Sequence, residues 1–424
     1  MLLNQQSVFE IQSFQEEEVK RWFINHEKVG SNYSFSLPLK IWEDEFDVIS
    51  ILFKVNVLIH EAVQIMMWKQ NVLPIMMESF GEPSNTFLLY SVFYHEELAI
   101  SILENVVYYC DSIDAMGDSI VDLIDYAVYY LTKLLYSQNQ KKQKESKENE
   151  SCWDELIEKR DQIEFDLGMR CISIIRYLSE FIKYLPLCAL SRILSTNDVP
   201  CLFIQLIELK PWFKTTEKGE RMIYEGKWQK VSPHEEDKLC KMEGQVWLGL
   251  RELLLDPQSG PYYDITEFRM SQLTRLQKYL NEDILDQIAP MIDLRRWLAS
   301  LNVSSQAPTT QRPINVEVIP DISTSISAKY SKRWKRLAEH QAKTLFTKDA
   351  EHIRSMAEIL SEAYDFDKID IIDSKKCLLC KGVAKHRCSR CKEAWYCGRE
   401  CQVKNWSHHK TICDNMVELQ AGTD

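Results

Sequence analysis

Between Cys377 and Cys413, eight soft metal donors follow the spacing C-x2-C-x7-C-x2-C-x5-C-x3-C-x7-H-x3-C. They are Cys377, Cys380, Cys388, Cys391, Cys397, Cys401, His409 and Cys413. A C-x2-C knuckle aims two sulfurs at one ion. An x3 interval inside a helix puts residues i and i+4 on one face, the arrangement expected of Cys397/Cys401 and of His409/Cys413. Zinc takes four such ligands in a tetrahedron at about 2.0–2.3 Å. Eight ligands in four pairs fit two zinc ions. Seven thiolates and one imidazole fill both tetrahedra, so the zincs are expected to be structural, with no open catalytic position. Spacing alone leaves open which pairs share an ion. His408 is the alternative to His409, but it lies five residues before Cys413 and so off that residue's helical face. His386 stands near Cys388 at no useful interval and reads as a surface residue.

Six further cysteines, Cys110, Cys152, Cys171, Cys188, Cys201 and Cys240, are scattered through mostly apolar context, where a free thiol serves as a small hydrophobe. The start "MLLNQQSVFEIQSFQEEEVK" has no basic region before its apolar residues, so no secretory signal is expected. A reducing compartment follows, and the crowded cysteines are expected to bind metal rather than to form disulfides.

The whole chain of 424 residues contains little glycine: 12 in all, about 3% against a typical ~7%. Hairpins and phosphate-cradling loops consume glycine, so this scarcity favours helices joined by short turns. Apolar residues make up 45% of the chain, enough for a sizeable core. "DSIVDLIDYAVYYLTKLLY" (118–136) shows the pattern: Ile120, Leu123, Ile124, Ala127, Val128, Leu131, Leu134 and Leu135 recur at helical spacing, with Asp118 or Ser119 as N-cap. The polar run 137–151 has nothing to bury and reads as a mobile solvated loop. The helical pattern resumes at Trp153 and continues to about Ile207. Its richest apolar stretch, 171–194, is interrupted by Arg176, Glu180 and Lys183, which favours a buried helix pair over a membrane span.

"NVLPIMMESF" at 71, "NDVPCLFIQLIELKPW" at 197 and "EDILDQIAPMIDLRRWL" at 282 each open an apolar helix after a polar cap. They are weakly alike in the manner of armadillo or HEAT arrays, where each repeat buries one face on its neighbour. The expected fold is all-α: an armadillo-like domain over 1–300, a linker at 301–327 rich in Ser, Thr and Pro, and a helical segment at 328–366. Residues 209–233 break the periodicity. They read either as an ordered loop in which Trp212, Tyr224 and Trp228 clamp neighbouring helices, or as a binding insertion. Lys329, Lys332, Arg333, Lys335 and Arg336 read either as a solvated helical face or as a contact for an acidic partner or nucleic acid.

The cysteine run carries Tyr396 before Cys397, Gln402 after Cys401 and Trp406 three residues before His409. With these it resembles the MYND-type zinc finger over residues 377–413. The resemblance implies an interleaved pairing: Cys377, Cys380, Cys397 and Cys401 on one zinc, Cys388, Cys391, His409 and Cys413 on the other. It also implies an aromatic-walled groove for short proline-rich peptides, with Ser389, Gln402 and Trp406 at the matching positions, although Trp406 also reads as a core residue. The whole chain, through "KPWF…GERMIYEGKWQ" and "LDPQSGPYYDIT" (255–266), resembles a family of MYND-finger proteins that act as cytoplasmic assembly factors for ciliary dynein arms. That resemblance implies a non-enzymatic adaptor for dynein chains, chaperones and other assembly factors, sited in the cytoplasm or near centriolar satellites.

The residues agree on class. The P-loop, GxSxG, HExxH and GxGxxG patterns are all missing, and His234 in "SPHEED" lacks the second histidine of a metalloprotease helix. A net charge of −12 disfavours nucleic acid and anionic membrane as partners of the whole chain. The finger itself is basic, with ten Lys/Arg against two Glu over 375–413. A nuclear corepressor-like adaptor is therefore the competing expectation.

Overall fold

The computed structural model describes residues 48–81, 83, 86–140, 151–216, 219–232, 238–303, 318–345, 377, 379–380, 384–390 and 394–421. Of the expected loop 137–151, residues 137–140 continue a helix and Ser151 caps the next one, a correction to its bounds. Residues 141–150 lie outside the described residues, as do the linker core 304–317, the 346–366 part of the expected segment 328–366, His234 and Cys391. The chain divides into two compact units, one holding the described residues up to 345 and one holding those from 377 onward.

The first unit is a helical array. Its helices are α1 (Val48–Asn71), α2 (Leu73–Ser79), α3 (Phe87–Val107), α4 (Asp111–Met116), α5 (Ile120–Gln140), α6 (Cys152–Glu180), α7 (Leu187–Ser191) and α8 (Val199–Leu209). They continue with α9 (Lys241–Leu255), α10 (Glu267–Leu276), α11 (Glu282–Gln287), α12 (Met291–Val303), α13 (Asp321–Tyr330) and α14 (Trp334–Leu345). One row packs neighbour on neighbour through α1, α3, α6, α9 and α12, and a second runs through α5, α8 and α10. Such contacts between successive elements are what a layered helical array requires, because no single helix pair can bury its apolar face alone. Local chemistry sets the starts. Ser151 and Asp154 form a capping box at α6, while Thr266 and Asn281 cap α10 and α11.

Helix α5 begins after a 3-10 turn, Gly117–Ser119, and buries the expected apolar stripe apart from Val128, which is half-buried. It also buries three polar residues that periodicity did not single out: Asp122, Tyr126 and Tyr130. Tyr126 and Tyr130 both donate to Glu96 Oε1 of α3, at 2.9 and 2.7 Å. Lys69 Nζ of α1 lies 2.5 Å from Glu96 Oε2 and donates to the Tyr130 hydroxyl at 2.6 Å. Glu164 of α6 closes the set, 3.4 Å from Lys69 and 2.6 Å from Lys133. Burial, then the Glu96 carboxylate, push both tyrosine hydroxyls well above the usual phenol range, so they remain donors. Burial raises the Glu164 carboxyl, but Lys69 and Lys133 outweigh it and hold the group below its ordinary value. Four helices are thereby joined by one buried polar network.

Helices α13 and α14 fold back onto the beginning of the array. The expected linker 301–327 is helical through Val303 and again from Asp321, so its boundaries need correction. The reason lies far away in the chain. Asp122 of α5 accepts from the backbone N–H groups of Ile322 and Ser323, at 3.3 and 3.1 Å, and so caps α13 across 200 residues. Trp68 of α1 donates to Gln341 of α14 at 2.8 Å, both side chains buried.

Residues 213–230 form a three-stranded antiparallel meander, β1 (Phe213–Thr215), β2 (Arg221–Tyr224) and β3 (Trp228–Lys230), with Gly219 and Gly226 at positive φ in its turns. It is a clamp. Trp212 is fully buried, Trp228 stacks on Phe165 of α6 at 5.4 Å, and the Tyr224 hydroxyl donates to Asp166 at 2.6 Å. The 255–266 stretch is tied down as well. Ser195 donates to the Tyr262 carbonyl, and Tyr263 and Arg269 both donate to Asp198, the left-handed N-cap of α8. Among the described residues no single helix is long and apolar enough to cross a membrane. The bent pair Leu187–Thr196 and Val199–Leu209 passes by composition, but most of its apolar residues are buried in the array.

Where α9 crosses α6 and α8, the contact depends on Gly249. A Cβ there would stand 2.7 Å from Phe203 Cε2, in a fully buried ring, and 3.5 Å from Arg176 Cα. Helix propensity alone gives Gly→Ala a gain of about 1 kcal/mol. Gly249→Ala is instead expected to lose about 1–3 kcal/mol through overpacking. Urea unfolding of the full chain checks the sign; a midpoint equal to or above wild type would show that Phe203 gives way.

Candidate metal centre

In the second unit a two-stranded ladder, β4 (His386–Arg387) with β5 (Trp395–Tyr396), is followed by α15 (Arg399–Ala421). Hydrogen bonds from Lys385 N to Tyr396 O at 3.0 Å and from Cys388 N to Ala394 O at 2.7 Å extend the ladder to the cysteine turns. Tyr396 is fully buried in a small core with Cys377, Ala384, Cys388, Ala394 and Cys413. Trp395 and Trp406 pack against its side. The apolar surface buried among these described residues is too small to hold a fold by itself.

The sulfurs of Cys377, Cys380, Cys397 and Cys401 lie within 4.8 Å of one another, and so do the donor atoms of Cys388, His409 and Cys413. Cys391 lies outside the described residues. The described members of the two interleaved sets therefore assemble as two separate groups. Both donor sets fit zinc. A tetrahedron with Zn–S bonds of about 2.3 Å has edges of about 3.8 Å. The observed edges are 3.5 Å for Cys380–Cys397, 3.4 Å for Cys397–Cys401 and 3.9 Å for Cys388–Cys413.

Electrostatics point the same way. Burial raises the Cys377 thiol, but backbone N–H groups of Cys380, Cys397 and Leu379 outweigh that and hold it at about 6. The Cys397 sulfur, then burial, push Cys401 up to about 12. Four thiols in one space cannot all ionise without a cation, and a divalent ion removes that conflict. When bound, zinc would cross-link the knuckle at Cys377, the turn at Cys397 and helix α15.

One local expectation needs correction. Cys397 and Cys401 do not share a helix: α15 starts at Arg399, and Cys397 lies in the turn that leaves β5. Tyr396 is held in the ladder, so the chain cannot become helical until Gly398, whose carbonyl accepts from Gln402 N at 3.3 Å. His409 and Cys413 do lie one helical turn apart on α15, both buried. His409 belongs to the second donor group. The His408 side chain lies outside the description, and His386 is exposed on β4. Of the residues matched to a peptide groove, Ser389 is exposed, Gln402 is half-buried, and Trp406 is half-buried with its ring 5.9 Å from that of His409. Trp406 thus has one side on the finger core and retains an accessible surface.

The Cys240 sulfur, which its apolar context marks only as a small hydrophobe, accepts from Glu243 N at 3.3 Å and caps α9. The signal was its position one residue before an apolar helical run. Burial first of all pushes Cys240 and Cys201 up to about 12, which leaves both thiols chemically quiet.

This geometry is a two-site zinc finger at the end of a helical chain. Residues 377–413 match the family model described as the MYND finger. The mouse N-lysine methyltransferase SMYD2 is 41% identical over 44 residues, 10% of each chain, a length comparable to the finger alone. The Drosophila melanogaster protein named "Zinc finger MYND domain-containing protein 10 homolog" is 30% identical over 441 aligned positions, covering 97% of this chain and 91% of the relative. The chain belongs to the zinc finger MYND domain-containing protein 10 family. No solved structure matches it.

Proposed function

We propose that this chain is a non-enzymatic adaptor for the cytoplasmic pre-assembly of inner and outer axonemal dynein arms, and is thus needed for ciliary motility. Its partners are dynein chains, chaperones and other assembly factors, and its site of action is the cytoplasm, including the region of centriolar satellites. The supporting observation is the likeness that runs through 97% of the chain. The finger alone would support only a peptide-binding adaptor. In this reading the two zincs are structural, and Ser389, Gln402 and Trp406 receive a proline-rich peptide on the finger. The helical array offers a separate surface, so two partners bound to one chain meet at a raised effective concentration.

Affinity capture of the tagged full-length chain from ciliated cells tests the reading. Wild type is expected to recover axonemal dynein chains together with a chaperone. A Gln402→Ala/Trp406→Ala variant that retains both zincs is expected to lose at least one of these partners. Recovery of chromatin complexes from the nucleus in place of dynein chains would favour the corepressor-like alternative and overturn the assignment.

A further inference from the structure

Five cations meet where α13 turns into α14. Lys329 lies in the last turn of α13, Lys332 and Arg333 form the connection, and Lys335 and Arg336 fall in the first turn of α14. All five are exposed, and among the described residues none has a carboxylate within ion-pair distance. Elsewhere in the same unit the pattern differs: Arg170, Arg192, Arg269 and Arg275 each hold a carboxylate at 2.8 Å or less.

Two observations show that this patch is more than a solvated face. First, Lys335 and Arg336 stand at the positive end of the α14 dipole, with no acidic residue in that turn to offset them. Local electrostatics oppose this placement; Glu339 follows one turn on in α14 but forms no ion pair with either cation. Second, the hairpin is held rigidly from behind. Ile326, Ala338 and Ala342 are buried, Gln341 is bonded to Trp68, and Asp122 caps α13, so the cations are carried outward on a fixed support. Beside them the Tyr330 and Trp334 rings stand 5.5 Å apart, both half-buried, and offer an apolar step next to the charges.

We propose that the α13–α14 turn is a docking surface for an acidic peptide segment of a protein partner. Carboxylates of the peptide pair with Lys332, Arg333, Lys335 and Arg336, and a neighbouring apolar side chain lies on Trp334. Charge complementarity selects the occupant. A negative ligand relieves both the crowding of cations and their conflict with the helix dipole. A duplex or an anionic bilayer would extend well beyond one turn and meet a chain whose net charge is −12. A short peptide confines its charge to within about one Debye length, ~10 Å at 0.1 M salt, of the patch. The surface rests on residues outside the finger and does not depend on the finger's function.

The test uses the zinc-loaded full-length chain and a fluorescein-labelled ten-residue peptide of Glu and Asp with one Phe, read by anisotropy. Binding is expected to weaken by about tenfold in Lys332→Glu/Arg333→Glu/Lys335→Glu, and as salt rises from 50 to 500 mM. The milder Lys332→Gln/Arg333→Gln variant should fall between, and thermal unfolding should be unchanged in both, since all the altered side chains are exposed. Gln402→Ala should leave peptide binding intact, which separates this surface from the finger. The proposal is overturned if wild type does not bind the peptide, if charge reversal leaves binding unchanged, or if a 20-base-pair DNA or phosphatidylserine vesicles bind the turn more tightly.

Discussion

Removing zinc from the full-length chain is expected to unfold residues 377–413 and to leave the helical array's cooperative transition in place. Structural zinc contributes on the order of 10–16 kcal/mol in small fingers. The finger's own core is one tyrosine, two alanines and the ligands themselves, with two tryptophans against its side. Among the described residues of that unit, the apolar packing is too small to substitute for the metal. Metal analysis should return two zincs per chain, and Cys401→Ala should release the ion shared with Cys377, Cys380 and Cys397. His409→Ala should cost a zinc, and His408→Ala should not. Acid should act in the same direction, because zinc requires thiolates. The Cys377 thiol is held below its ordinary value, so its contribution is complete above that value and is lost as the pH falls, and bound zinc would carry the loss to lower pH still. One zinc per chain, or collapse of the helical transition on chelation, would refute this account.

Glu96→Ala is expected to lower the unfolding free energy by about 3–5 kcal/mol, the usual consequence of removing one partner from a buried ion pair. It leaves the Lys69 ammonium buried and both tyrosine hydroxyls without their Glu96 acceptor. In thermal unfolding this corresponds to a midpoint lower by roughly 10 °C. Glu164, at 3.4 Å, is then the carboxylate left beside Lys69, so the loss reflects a weakened buried pair and two tyrosine hydroxyls deprived of Glu96, and Lys69→Met/Glu96→Leu should recover part of it. Urea unfolding of the two variants decides the matter. A single-variant loss under about 1 kcal/mol would mean that water reaches the network and solvates Lys69.

The buried network also shows where sequence reading stops. The α5 stripe from Ile120 to Leu135 was legible because helical periodicity is a local property. That Tyr126 and Tyr130 are equally buried was not, because Glu96 and Lys69, which make their burial tolerable, lie on other helices. The meander at 213–230 was legible as an interruption rich in turn residues. The clamp was one of two readings, and only packing on Phe165 and Asp166 of α6, about sixty residues earlier, decides for it.

Composition and spacing on their own pointed to a helical chain with two zinc sites, and named eight candidate ligands, of which the seven described ones assemble in two groups. Those properties are written over short distances, where covalent geometry and helical pitch leave few choices. Which cysteine pairs share an ion was implied by family likeness alone, since no periodicity links Cys380 to Cys397. The fold brings those sulfurs to 3.5 Å by laying the β4–β5 ladder against α15. In the same way, residues 321–327 look like a linker until Asp122 caps them from 200 residues away. A helix that short is marginal in water, and burial against α1 and a borrowed cap are what make it stable.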